Sequence, residues 1–180
     1  MDPVTLTTRL ATADEDLNYG DIYYTVFPLP AAPLAEILAR PENPFRVLID
    51  VNGQGRISSG LMPDGKGNFF VTVSKEVRKR FGLQQDDEVR LVLHPDDSAY
   101  GMPLPEELAE IWSVDPEAHR VFHLLTPGKQ RGLIYQVAKP KGAATRAKKA
   151  VQISEYLKQT GGVLDYKELN AYIKADNANW

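Results

Sequence analysis

The residues that could do chemistry are concentrated in a basic segment towards the C-terminal end of the chain. Residues 138–150, AKPKGAATRAKKA, contain five lysines and arginines and no acid, although the whole chain has a formal net charge of -3. Clusters of this kind bind phosphates, nucleic acid or acidic protein surfaces. The segment is therefore a candidate site for an anionic ligand or a protein partner. Its cations are Lys139, Lys141, Arg146, Lys148 and Lys149.

Helix geometry limits how many of these cations can act together. The run AATRAKKAVQISEYL predicts a helix in which Arg146 and Lys149 share a side, while Lys148 points elsewhere. The cations lie near the helix start, where the helix dipole disfavours them, so helix stability does not explain the cluster. One interpretation is a surface that binds an anionic ligand or nucleic acid. The other, which we favour, is a docking face on the acidic N-terminal half, with Arg146 paired to a carboxylate such as Asp50 or Asp64.

A second group of cations lies in the segment SKEVRKRFG, which predicts a short helix. These side chains are Lys75, Arg78, Lys79 and Arg80. They are spaced to meet DNA phosphates. However, residues 1–105 contain ten lysines and arginines against fifteen acids, so most of the electrostatic attraction for a DNA duplex is missing. We favour a solvated helix face here, and nucleic acid is not the favoured partner.

Other residue types at suggestive spacings do not complete a catalytic or metal site. His119 and His123 are four residues apart, a spacing that can place two imidazoles on one metal ion. A zincin would need Glu after the first His, and the residue there is Arg120. The segment SSG at 58–60 lacks the Gly-x-Ser-x-Gly pattern of a nucleophile elbow, and the chain contains no cysteine. The sequence therefore predicts no catalytic residue, no metal, no cofactor and no enzymatic activity.

The elements that must position these residues divide the chain into two parts, 1–103 and 104–180. In the first part, residues 22–52 and 69–94 each run in the order aromatic pair, strand, short helix, turn and strand. Neither unit can bury its apolar side alone, so the two must pack on each other. Two facing copies would close a small β-barrel within one chain, and we expect a monomer for that reason.

The second part, from residue 104 onward, reads as helical. Asp115-Pro116 and Thr126-Pro127 are typical helix starts, and Gly161-Gly162 is a typical helix end. Asp165 with Glu168 predicts one more short helix, and the tail DNANW has no assignable structure. The fold class expected for the whole chain is thus α+β, a β-barrel followed by a small helical region.

The expected compartment is the cytoplasm. The first twenty residues carry acids where a signal peptide would carry cations, and no apolar h-region follows. No apolar run approaches the roughly 18 to 20 residues that span a bilayer, so we expect no membrane partner. The absence of cysteine fits a reducing compartment.

Four segments carry a resemblance to a known family: GNFFVTVSKEVRKRFGLQQDDEVRLVL, LPEELAEIW, VFHLLTPGKQRGLIYQVAKPKGAATRAKKA and ISEYL. Together they resemble the bacteriocin-protection family of bacteria, also described as YdeI or OmpD-associated, over roughly residues 5–160. The resemblance implies an N-terminal barrel module of the domain-of-unknown-function 1905 type, joined to a helical region. One departure is Ala144, which stands where the family's basic run has Glu.

The implied barrel module is similar in fold to the double-split β-barrel of the AbrB and MazE DNA-binding domains, although Asp86 stands where their turn usually has Gly. Those domains build the barrel from two chains, whereas the repeat predicts that this chain supplies both units. The resemblance implies a binding or interaction protein that protects against bacteriocins, with an unknown protein or an anionic ligand as its partner. The alternatives are an AbrB-like DNA-binding regulator and an enzyme that uses a groove between barrel and helices.

Overall fold

The computed structural model divides the chain into two compact units, Met1–Gly101 and Met102–Trp180. It describes residues 2–12 and 25–178. The first unit contains the strands and two short helices, and the second is built of helices alone among its described residues. The predicted α+β class and the predicted helical C-terminal region are therefore confirmed.

Two four-stranded antiparallel sheets make up the described part of the first unit. The strands are β1 (Val4–Arg9), β2 (Ala11–Thr12), β3 (Thr25–Leu29), β4 (Arg46–Val51), β5 (Gly55–Gly60), β6 (Met62–Pro63), β7 (Phe69–Thr72) and β8 (Glu88–Pro95). The first sheet has the order β1-β8-β4-β5, and the second has the order β2-β3-β7-β6. Helix α1 (Ala35–Leu38) follows a 3-10 turn between β3 and β4, and helix α2 (Lys75–Phe81) joins β7 to β8.

An internal two-fold relation links the two halves of this unit. Exchanging β1, β2, β3 and β4 for β5, β6, β7 and β8 leaves both sheet orders unchanged. The registers agree as well: Val4 lies opposite Leu93, and the equivalent residues Gly55 and Val51 also face each other. The relation extends beyond the segments 22–52 and 69–94, because it includes the two strands that precede each of them. Residues 22–24 of the first segment lie outside the described residues.

The strands leave the first sheet and enter the second at two equivalent residues. Leu10 separates β1 from β2, and Leu61 separates β5 from β6. Among the described residues, however, no ladder of hydrogen bonds joins the two sheets, so the predicted closed barrel is not formed. In the described residues β2 and β6 lie at the two edges of the second sheet, and each pairs with one strand of that sheet only.

Both sheets and both short helices contribute to one apolar core. Helix α2 begins at Ser74, whose Oγ accepts a hydrogen bond from the Val77 amide at 3.2 Å. It ends at Gly82, which has the left-handed φ of 62° that glycine tolerates best. Asp86, in the following turn, also has a positive φ, 67°. The resemblance predicts Gly at this position, because glycine adopts the left-handed conformation most easily. Here Asp86 adopts that conformation instead.

Five helices form the described part of the second unit: α3 (Glu106–Val114), α4 (Pro116–His123), α5 (Pro127–Ala138), α6 (Ala143–Gln159) and α7 (Tyr166–Ala178). Helix α6 is central and packs on the other four. It buries Ala150, Ile153 and Leu157, which recur at helical spacing. No helix in the described ranges has both the length and the apolar character needed to cross a bilayer.

The ends of these helices follow local sequence signals. The Asp115 carboxylate accepts a hydrogen bond from the Ala118 amide at 2.9 Å, so it caps α4 as the Asp-Pro pair predicts. Asp165 caps α7 in the same way, through the amide of Glu168 at 3.0 Å. The sequence assigned no structure to the tail from 176, whereas α7 continues to Ala178. Residues 179 and 180 lie outside the described range.

Candidate functional site

A polar cluster lies on the face of the first sheet that points away from the core. Strand β4 buries Val47, Ile49 and Val51, so Asp50 projects from the opposite face. Arg56 lies directly opposite Asp50 in the β4–β5 ladder. The tight turn between the two strands, which contains Asn52 and Gly53, fixes this register.

Asp50, Arg56 and His94 form one hydrogen-bonded group. Arg56 donates to Asp50 through Nε at 2.6 Å and through Nη2 at 2.8 Å. His94 Nε2 lies 2.9 Å from Asp50 Oδ2. The bidentate bond from Arg56 lowers the pKa of Asp50 to about 2, against the opposing effect of burial and with a further contribution from His94. The carboxylate is therefore ionised at neutral pH, where it has no proton to donate and is only a weak base.

A concavity of about 410 Å³ adjoins this group. The concavity lies at the centre of the two-fold relation. That relation exchanges Asp50 with Val92, and these two lining residues face each other across β4 and β8. The concavity contains two guanidinium groups and one carboxylate, so it carries a net positive charge. Its lining residues are Asp50, Gly53, Gly55, Arg56, Arg90 and Val92.

A second polar cluster in the same unit is buried and structural. Ser58 Oγ lies 3.0 Å from Asp96 Oδ2 and 2.8 Å from the carbonyl oxygen of Gly101. Arg46 Nη2 donates to the same carbonyl at 2.6 Å. Burial raises the pKa of Asp96, but hydrogen bonds from Ser98 and Ser58 outweigh that effect and hold the pKa below its usual value. These bonds fasten residues 96–101 to the sheet. They place the Ser58 hydroxyl against a carboxylate and a backbone carbonyl rather than against an imidazole base.

Arg146 of the basic segment has its ion pair inside the second unit. Its Nε donates to Glu107 Oε1 at 2.7 Å, and its Nη1 donates to the Lys141 carbonyl at 2.9 Å. The predicted partners, Asp50 and Asp64, are therefore wrong. Asp50 is paired with Arg56, and Asp64 accepts hydrogen bonds from backbone amides in its own turn. The sequence could not place Glu107, because its contact with Arg146 depends on how α3 packs on α6.

The five cations of the basic segment do not share one surface. At 100° per residue, Lys148 lies on the side of α6 away from Arg146 and Lys149. Lys148 borders a mostly apolar groove of about 560 Å³ between α6 and α7, lined also by Val151 and Tyr172. Lys148 and Lys149 are half-buried rather than mostly exposed, whereas Lys139 and Lys141 are exposed.

Of the two equivalent short helices in the first unit, only α2 carries basic side chains. Lys75, Lys79 and Arg80 are exposed, Arg78 is half-buried, and the Arg80 guanidinium lies 4.9 Å from the centre of the Phe81 ring. The equivalent helix α1 contains no cation. Arg40, which follows it, forms an ion pair with Asp97. A symmetric basic surface, of the kind that reads two half-sites in DNA, is thus not present in the described residues.

The rings of the two helical histidines lie against each other at a tilt, and both meet the Trp112 ring edge-on. Their ring centres are 4.1 Å apart, and they lie 5.5 Å (His119) and 5.3 Å (His123) from the Trp112 ring. His123 Nδ1 lies 2.7 Å from the His119 carbonyl oxygen, which orients the ring. Within the described ranges, no three histidine or acidic side chains are grouped so that they could hold a metal ion.

Comparison with family models assigns both units. Residues 16–93 match a domain of unknown function, DUF1905, and residues 102–160 match the family described as bacteriocin-protection, YdeI or OmpD-associated. The chain thus combines a region similar to DUF1905, called the DUF1905 domain, with a region similar to the YdeI/OmpD-associated family. The resemblance drawn from the sequence is therefore confirmed. No curated protein and no solved structure matches the chain.

The central cluster of the DUF1905 domain was missed by sequence analysis, although part of its signal is present. Asp50 and Arg56 are equidistant from Gly53 in the run DVNGQGR, so a tight hairpin at Asn52-Gly53 places them opposite each other. His94 could not be found in this way, because it reaches Asp50 only through the pairing of β4 with β8.

Proposed function

We propose that the chain is a non-catalytic binding protein that holds an anionic group in the central concavity of its DUF1905 domain. The observation that carries this proposal is the pair of arginines in the concavity. Both hydrogen bonds from Arg56 to Asp50 use Nε and Nη2, which orients the guanidinium and leaves Nη1 for a ligand. Arg90 is exposed on β8, which lies on the other side of β4 from Arg56, and it adds a second fork of donors. Oriented guanidinium groups suit carboxylates and phosphates.

The carboxylates of the two polar clusters in this domain support binding rather than catalysis. Acid–base catalysis at neutral pH is most effective when the pKa of the group lies near 7. The pKa of Asp50 is about 2, and the pKa of Asp96 is also held below its usual value. Both groups therefore act as fixed negative charges that orient their neighbours, Arg56 in the first case and Ser58 in the second.

For the biological role, we propose protection against bacteriocins, which is what the description of the matched family names. We propose further that the protein acts as a monomer in the cytoplasm. The two-fold repeat supports a monomer, because one chain supplies both halves of the shared core. The absence of cysteine is consistent with a reducing compartment.

We also propose that the DUF1905 domain is an open variant of the double-split β-barrel. The support is the way in which β1–β2 and β5–β6 each leave one sheet and enter the other across a single residue. An experimental structure that shows these crossings at Leu10 and Leu61 would agree with this assignment. Continuous strands that stay in one sheet would contradict it.

The binding proposal is tested by thermal melts of the full chain with phosphate, sulfate, citrate and chloride. A ligand that binds only the folded state raises Tm as its concentration rises. We expect phosphate or citrate to raise Tm in the wild type, and this rise to be lost in Arg90→Gln. The matched control is Arg9→Gln, because Arg9 is an exposed arginine of the same sheet, opposite Glu88 and outside the concavity.

Two results would contradict the proposal: no rise in Tm with any of the multivalent anions, or an equal rise in Arg90→Gln and the wild type. A DNA duplex serves as a further probe. If the duplex binds in a salt-dependent way and Lys79→Gln weakens that binding, the AbrB-like regulator becomes the better interpretation.

A further inference from the structure

One face of α5 carries cations on both sides of an exposed aromatic ring. Arg131, Tyr135 and Lys139 are four residues apart, so each is turned only about 40° from the one before it and the three form a stripe about 12 Å long. Tyr135 is 56% exposed, although tyrosine rings usually bury most of their surface. Lys139 is exposed, and Arg131 is half-buried.

A second exposed ring adjoins this stripe. Tyr166, the first residue of α7, is 41% exposed. Its hydroxyl oxygen lies so close to Gly132 that a Cβ added to this glycine would be 2.5 Å away. Because Gly132 is within one turn of Tyr135, both rings belong to the same side of the helical unit.

The chain segment that contains α5 is basic. Residues 118–154 contain eight lysines and arginines and no acid. The nearest acid along the chain to Tyr166 is Asp165, and its carboxylate accepts hydrogen bonds from the amides of Lys167 at 2.8 Å and Glu168 at 3.0 Å. That carboxylate is therefore occupied with capping α7, and it reduces the positive charge of the stripe only in part.

We propose that Arg131, Tyr135, Lys139 and Tyr166 form a binding surface for single-stranded nucleic acid. Unpaired bases stack on exposed aromatic rings, and the phosphates between them meet the flanking cations. A duplex is a poorer fit, because its bases are already stacked and only its phosphates are available. An anionic membrane is also a poorer fit, since insertion favours Leu, Phe or Trp beside the cations. The proposal does not depend on the concavity of the DUF1905 domain.

The test is fluorescence anisotropy of the full chain with a labelled oligothymidylate of about 20 nucleotides, long enough to cover one site. We expect Tyr135→Leu to weaken binding about five-fold or more, because it removes one stacking platform, and Tyr135→Phe to retain binding. We expect Arg131→Gln and Lys139→Gln each to reduce the slope of log K against log salt by about 0.7, the value for one phosphate contact with a single strand.

The matched control is Arg120→Gln, because Arg120 is an exposed arginine of α4 that pairs with Glu117 on its own helix. It should leave binding to the oligothymidylate unchanged. Thermal melts establish that each variant is folded. The proposal is overturned if Tyr135→Leu binds as well as the wild type, or if a duplex of equal length or heparin binds as tightly as the single strand. It is also overturned if phosphatidylserine vesicles bind the chain and the oligonucleotide does not.

Discussion

The two-fold relation within the DUF1905 domain predicts that two leucines far apart in sequence contribute equally to the free energy of unfolding. Leu10 and Leu61 occupy the same position in the two halves, and their side chains are 0% and 4% exposed in the same core. Their amides also make equivalent bonds, from Leu10 to the Asp87 carbonyl at 2.9 Å and from Leu61 to the Phe45 carbonyl at 2.8 Å. We therefore expect Leu10→Ala and Leu61→Ala to destabilise the protein equally.

The magnitude follows from burial. Truncating a fully buried leucine to alanine costs about 2 to 5 kcal/mol, which includes the cavity that is left behind. Because both cavities open into one core, the two losses in free energy of unfolding should agree within about 1 kcal/mol. Leu48→Ala is the control in the same sheet. Leu48 is half-buried on the outer face, so its truncation should cost only about 1 kcal/mol.

The assay is urea unfolding of the full chain, followed by far-UV circular dichroism. Tryptophan fluorescence serves as a second probe, and Trp112 makes it report on the helical unit. A loss of several kcal/mol for one leucine and almost none for the other would refute the equivalence of the two halves. A loss for Leu48→Ala as large as that for Leu10→Ala would refute the assignment of the core.

Four further predictions concern single contacts and the assembly. Arg146→Ala should lower Tm clearly, because Glu107 and the Lys141 carbonyl lose their donor, whereas Lys149→Ala should leave Tm nearly unchanged in the same melts. The stability that Asp50 contributes should be complete above its unfolded pKa of 3.8 and disappear as pH falls towards about 2, so urea melts should show Asp50→Asn and wild type converging over that window. Light scattering at low micromolar concentration should show a folded monomer; a dimer that exchanges strands between chains would contradict the repeat argument. Elemental analysis after mild purification should find no stoichiometric zinc, because His119 and His123 have no third ligand nearby among the described residues.

Local signals in the sequence determined much of the secondary structure. The Asn52-Gly53 pair predicts a tight turn, and both residues have the positive φ angles, 52° and 68°, that such a turn requires. Pro116 and Pro127 mark the first residues of α4 and α5. These features depend only on the conformational preferences of neighbouring residues, so they can be read without knowledge of the fold.

The candidate sites are predictable only in part. The stripe on α5 follows from the four-residue spacing of Arg131, Tyr135 and Lys139, once the helix is assigned. Its second ring, Tyr166, is more than thirty residues away in sequence and reaches the stripe through the packing of α7. Likewise, the hairpin pairs Asp50 with Arg56, but only the β4–β8 ladder adds His94.

Local sequence patterns predicted most of the helices, the strands of the two repeat segments, several helix caps and the family resemblance, but not β1 and β2. Tertiary packing sets which charges meet: Arg146 pairs with Glu107, although acids of the other unit were the expected partners. It also keeps the two described sheets separate, since no strand ladder joins them. The physical reason is the same in each case. An ion pair or a strand ladder depends on the distance between residues remote in sequence, and that distance is set by the packing of the whole core rather than by local preference.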